Sequence, residues 1–233
     1  MTHITIEHVG EIEVRRSNRA KRLIISIQPS GKPRITAPRH VPMLLIQRFA
    51  QQHTTWIIDN IQPQVVFSEG DQIGHYHTLS FISGSKLASR VKDEEVYVTV
   101  PPGVTFEDSE VQAKVKAAAK TALKRQAVQI LPARLTEYAT RYGYHYNQLN
   151  CKPLKTRWGS CSSSGVITLN IWLMQLPDDL IEYVLLHELV HLHHPHHQTA
   201  FWQELASILP DYKVRRAELK KYRPALLHTS QLP

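Results

Sequence analysis

The sequence predicts an α+β fold, with a strand-rich lobe over residues 1–103 followed by a helix-rich lobe over residues 104–233. Three observations carry this expectation. Short apolar segments bounded by turn residues dominate the first lobe. Pro101, Pro102 and Gly103 then break the pattern. Beyond them, long stretches carry helical periodicity. A chain of 233 residues is long enough to give two such lobes a core.

In the first lobe, Leu23 to Ile27 and Arg34 to Ala37 read as two strands joined by a turn containing Ser30 and Gly31. A helix is expected from Pro42, because proline suits the first helical turn. Ile46, Phe49, His53, Trp56 and Ile57 recur at helical spacing and mark its buried face. Further strands are expected at Tyr76–Ser83, Lys86–Val91 and Val96–Val100, with turns at Gly84 and Asp93. In the second lobe, Ser109 and Gln112 suggest a capping box opening a long alanine-rich helix. It runs to Tyr142, with Gly143 placed to end it and Pro132 to kink or divide it. Strands around Tyr144–Lys155 and Val166–Leu173 follow, joined through Ser164 and Gly165, and Pro177 introduces another helix.

Composition narrows the class. No apolar run approaches the roughly 20 residues that span a bilayer, and the amino terminus lacks the pattern of a signal peptide. Two cysteines, Cys151 and Cys161, do not make a disulfide scaffold in a chain of this size, so a cytoplasmic location is expected. The net charge of +8 suits a solvated basic face. It also suits nucleic-acid association, with Arg15, Arg16, Arg19, Lys21 and Arg22 close together.

The sharpest signal lies in Leu180–Leu192, LIEYVLLHELVHL. This helix is apolar nearly all round, as a buried helix is, yet His187, Glu188 and His191 sit within it. Leaving those groups buried without partners would cost several kcal/mol. A metal resolves the conflict. Residues four apart lie about one turn from each other, so His187 and His191 can aim ring nitrogens at one ion. Glu188, turned about 100° from His187, stands beside the ion and is suited to take a proton from an attacking water.

A catalytic zinc has three protein ligands and an open position. After His191 the candidates are His193, His194, His196 and His197, with Glu204 and Glu218 farther on. His193 lies on the wrong helix face, and Pro195 biases His194 out of helical geometry. Once Pro195 ends the helix, the chain can return to present His196 or His197, and spacing does not choose between them.

Three blocks in order, LKTRWGSCSSSGVITLN, HELVH and HHQTAFW leading to PDYK, resemble the YgjP-like zinc metallopeptidases, relatives of the WLM and SprT-type zincins. RAKRLIISIQPSGKPRITAP resembles that family's amino-terminal region, so the likeness spans nearly the whole chain. The resemblance implies a zincin-like catalytic lobe over 104–233 and Zn2+ as cofactor. It implies His197 as third ligand, although His196 and Gln198 replace the family's flanking asparagine and serine. It also implies that TRWGSC lies near the active site, with Val166–Asn170 bordering the cleft. Arg157 then becomes a candidate for substrate binding or an ion pair. Trp158, Trp172, Phe201 and Trp202 are read as core packing, and Cys161 as a small buried residue.

The expected reaction is hydrolysis of a peptide bond in a polypeptide substrate, with Glu188 as base and no membrane partner. His196 and Tyr212 are candidates for stabilising the oxyanion. Two rival readings remain: a zinc hydrolase acting on a non-peptide amide or ester, and a nucleic-acid-binding protein with a structural metal. SprT-type relatives act on DNA-bound proteins, which by analogy would join peptidase and nucleic acid.

Overall fold

A computed structural model describes residues 2–28, 31–60 and 66–227. Ser30 therefore lies outside the described residues. By internal contacts the chain divides into two units, Met1–Val65 and Val66–Pro233.

The first unit builds a four-stranded sheet from β1 (Thr2–Ile6), β2 (Gly10–Ser17), β3 (Ile24–Ile27) and β4 (Pro33–Pro38), in the order β1-β2-β4-β3. Successive side chains on a strand point to opposite faces, so Ile4, Ile6, Ile12, Val14 and Ile35 all face one way. They share a core with Ile46, Ala50 and Ile57 of α1 (Met43–Gln52) and α2 (Thr54–Asn60). The helix expected from Pro42 is thus two helices, and only part of its proposed face is buried. Ile46 and Ile57 are inside, whereas His53 and Trp56 are exposed. The break follows from local competition for the backbone: His53 Nδ1 donates to the Phe49 carbonyl at 2.8 Å, and the Thr54 hydroxyl to that of Gln51 at 2.9 Å. Part of the basic cluster serves structure, since Arg16 donates to the carbonyls of Pro38 and Val41.

The second unit holds two further sheets. Strands β5 (Gln72–Ile73), β6 (His77–Ser83), β7 (Ala88–Lys92) and β8 (Glu95–Val100) run in the order β5-β6-β8-β7. By sequence they group with the first lobe. By packing they belong with α3 (Ser109–Tyr142), because Leu79, Val96 and Val98 join Val111, Val115 and Leu123 in one core. Asp108 caps α3 by accepting from the Glu110 amide at 2.8 Å, so the capping box is not formed. Gln112 is buried instead and exchanges hydrogen bonds with both main-chain groups of Phe67, at 2.9 and 2.8 Å. Pro132 lies within α3 without dividing it, and Gly143 ends the helix at φ 75°.

The last sheet sets the stage for the site. Strands β9 (Gln148–Lys152), β10 (Gly159–Cys161) and β11 (Val166–Asn170) run in the order β10-β11-β9, with β10 antiparallel and β9 parallel to β11. A 3-10 turn (Ile171–Gln175) then leads to α4 (Asp178–Val190), α5 (Thr199–Ile208) and α6 (Tyr212–Leu219). Nine residues of α4 are buried, and it packs against α3, β10, β11, α5 and α6. No helix among the described residues is long and apolar enough to cross a membrane.

Candidate metal centre

Helix α4 carries His187 and Glu188, and His191 is its carboxy-terminal cap. The chain then makes a turn through His193 and His194, passes Pro195 and re-enters helix at Thr199. This return brings His197 back over α4. Its Nε2 lies 2.9 Å from His187 Nε2, which is in turn 3.2 Å from His191 Nε2. The three nitrogens all fall within 4.8 Å of one another. Two ligands at about 2.0–2.1 Å on a tetrahedral ion stand roughly 3.3 Å apart, so the cluster has the spacing of a metal site.

The protonation pattern fits as well. His191 Nδ1 lies 3.0 Å from the His194 carbonyl, which can only accept; Nδ1 therefore carries the hydrogen and Nε2 keeps its lone pair. Burial, reinforced by His191 and His197, pushes the His187 pKa down to about 3 and keeps that ring neutral. Burial also lowers His191 and His197. Neutral imidazoles are the form that binds metal.

Around them the packing is aromatic. Phe201 is fully buried with its ring 4.7 to 4.9 Å from all three histidine rings. Trp202 stacks on His197 at 5.4 Å, and its Nε1 donates to the His197 carbonyl at 3.1 Å. Both residues do more than fill the core, because they hold the rings of the cluster.

Glu188 points into the same cleft, a cavity of about 460 Å³ lined by Arg157, Trp158, Gly159, Cys161, Tyr183 and the three histidines among others. Its Oε2 is buried without a hydrogen-bond partner among the described residues. Burial pushes its pKa up to about 8 against the opposing charge of Arg157. A carboxyl poised near neutrality is suited to both accept and return a proton.

Sequence reasoning missed the roles of Gly159 and Tyr183 in the cleft. Gly159 lets β10 press onto Glu188: a Cβ there would lie 2.6 Å from Oε1 and 2.7 Å from Cγ. Tyr183, one turn before His187, also lines the cleft. Its position at i−4 from the first histidine was the available signal. The expectation that Val166–Asn170 borders the cleft needs correcting, since β11 is the central strand of its sheet and Trp158–Cys161 forms the wall. Trp158 is accordingly a cleft residue as well as a packing one.

The other candidates are drawn elsewhere. His193 Nδ1 and His194 Nε2 donate to Glu204 Oε1 and Oε2, at 2.9 and 2.7 Å, and Tyr144 donates to Oε1 at 2.5 Å. Burial would raise the Glu204 pKa, but these hydrogen bonds outweigh it and hold the carboxyl below its usual range. Glu204 is thus committed away from the histidine cluster. Glu218 pairs with Lys221, and Tyr212 is buried and stacked on Trp202 at 5.5 Å. Neither His196 nor any acid joins the three-histidine cluster among the described residues.

The chain is similar to known proteins. A family model described as the YgjP-like metallopeptidase domain matches residues 21–222. Among solved structures, the metallopeptidase zymogen of Pyrococcus abyssi abylysin is 25% identical, the match covering 42% of this chain and 100% of that one at a TM-score of 0.37. The zymogen of Methanocaldococcus jannaschii jannalysin is 24% identical over 37% of this chain and 88% of that one, at a TM-score of 0.33. No match was found among curated proteins. With a family model spanning most of its length, the chain belongs to the YgjP-like metallopeptidases.

Proposed function

We propose that this metallopeptidase holds zinc through Nε2 of His187, His191 and His197 and cleaves peptide bonds with Glu188 as general base and acid. The observation that carries the reading is the convergence of three neutral imidazoles beside a buried carboxyl that, among the described residues, lacks a hydrogen-bond partner at one oxygen. An all-nitrogen set of three ligands with room for a fourth suits catalytic zinc. When bound, zinc supplies Lewis acidity, to the scissile carbonyl and to the attacking water.

The protein's own groups do the rest. Glu188 takes one proton from the water as its oxygen attacks the carbonyl carbon, then delivers that proton to the departing amine nitrogen. Gly159 keeps the Glu188 side chain seated against β10. Strand β10 is an edge strand on the cleft wall, and an extended substrate segment can pair with it. All the chemical groups of this reading fall within the lobe from 104 to 233.

The test is Glu188→Gln, which keeps size and loses the proton acceptor. Zinc content by elemental analysis should match wild type, while hydrolysis of a broad peptide library falls by about 10²–10⁴-fold. A chelator should abolish the wild-type activity. Near wild-type turnover in the variant would remove Glu188 from the mechanism.

A further inference from the structure

Resting on the ligand set proposed above, we infer that Glu204 is a positioning residue that clamps the turn after α4 and thereby orients His191 toward the metal. His193 and His194 amides both reach the Val190 carbonyl, at 3.1 and 3.0 Å, and there the helical bonding stops. Pro195 has no N–H to continue it, and it pushes the preceding residue out of helical geometry. The His194 carbonyl consequently turns back and accepts from His191 Nδ1. That single bond sets which nitrogen of His191 is free to bind metal.

The turn that carries this carbonyl is also held through its side chains. Glu204 supplies that hold. Its two oxygens take the side chains of both turn residues, and Tyr144, which is buried, fixes one of those oxygens from behind. The Tyr144 ring also lies 4.9 Å from that of His193. Glu204 sits on α5 three residues beyond Phe201 and two beyond Trp202, the residues that hold the histidine rings. One short helix therefore grips the cluster by ring packing and the intervening turn by charge. Among the described residues Glu204 forms no hydrogen bond with the proposed ligands and is not part of the cleft lining, so it acts on His191 through the turn.

Zinc-loaded wild type, Glu204→Gln, His194→Ala and His191→Ala are compared for the rate of zinc release to excess chelator. Cobalt-substituted samples are followed by visible absorption, which reports ligand geometry. Glu204→Gln keeps the side-chain size but offers one acceptor where two are used. His194→Ala removes the clamp at the half-buried turn residue while keeping its carbonyl, and guards against misfolding of the first variant. Both should release zinc about 10–100-fold faster and alter the cobalt spectrum. The double variant should release it no faster than the quicker single one, because both changes open the same clamp. A wild-type release rate and spectrum in both single variants, with metal binding lost in His191→Ala, would overturn the proposal alone. Undiminished metal binding in His191→Ala would overturn the ligand set, and the proposal with it.

Discussion

The two halves of the proposed metal centre are built by different means. His187 and His191 stand one turn apart around the end of a buried helix, so the regular backbone alone brings their nitrogens together. His197 lies on an exposed, irregular segment and reaches them through packing from α5. The first half is local in sequence, and the second depends on contacts between elements. A site assembled this way should fail differently according to which half is damaged.

His187→Ala or His191→Ala should have the largest effect. Metal affinity should fall by more than the roughly 10–100-fold that loss of a supporting residue causes. Because binding stabilises only the folded state, the melting temperature should drop to that of metal-free protein, and added zinc should not restore it. Full zinc occupancy in either variant would end the reading of α4 as the ligand helix.

His197→Ala tests the other half and should weaken zinc binding less, since the helical pair persists. Neighbouring histidines complicate a single change, so the double variant His196→Ala/His197→Ala is best compared with His196→Ala alone. Equal zinc affinity in those two proteins would show that the exposed segment contributes no ligand.

Gly159→Ala disturbs the helical half from outside without touching a ligand. The added methyl would displace Glu188, and a shift of about 1 Å in a reacting group can cost about 10²-fold in rate. Turnover should fall while metal content stays at the wild-type level. Normal kcat would mean that the side chain relaxes without losing its alignment.

The same division explains what could be read from the sequence. The helix from Leu180 onward was legible because two histidines four residues apart, with Glu188 beside the first, interrupt an apolar segment, and such spacing is local. Gly143 and Pro177 marked helix boundaries through backbone geometry that acts at a single residue. Spacing left His196 and His197 equivalent. Only the route of the chain past Pro195 separates them, and resemblance had to stand in for it. Gly159 and Glu204 were missed in their roles because each acts on a partner brought close by the fold, Gly159 across from β10 to α4 and Glu204 back from α5. Asp108 displaced Ser109 as the cap for a similar reason. Gln112, needed for the box, is taken by Phe67, which lies 45 positions away.

Phe201 has a consequence beyond packing density. An imidazole free in solvent samples several rotamers, and fixing one takes conformational entropy. Here a single buried ring abuts all three histidines. Their torsions are therefore restricted by packing as the core forms. Preorganisation of this kind lowers the ordering cost that accompanies binding. A metal bound as proposed would therefore demand little further ordering of these three rings.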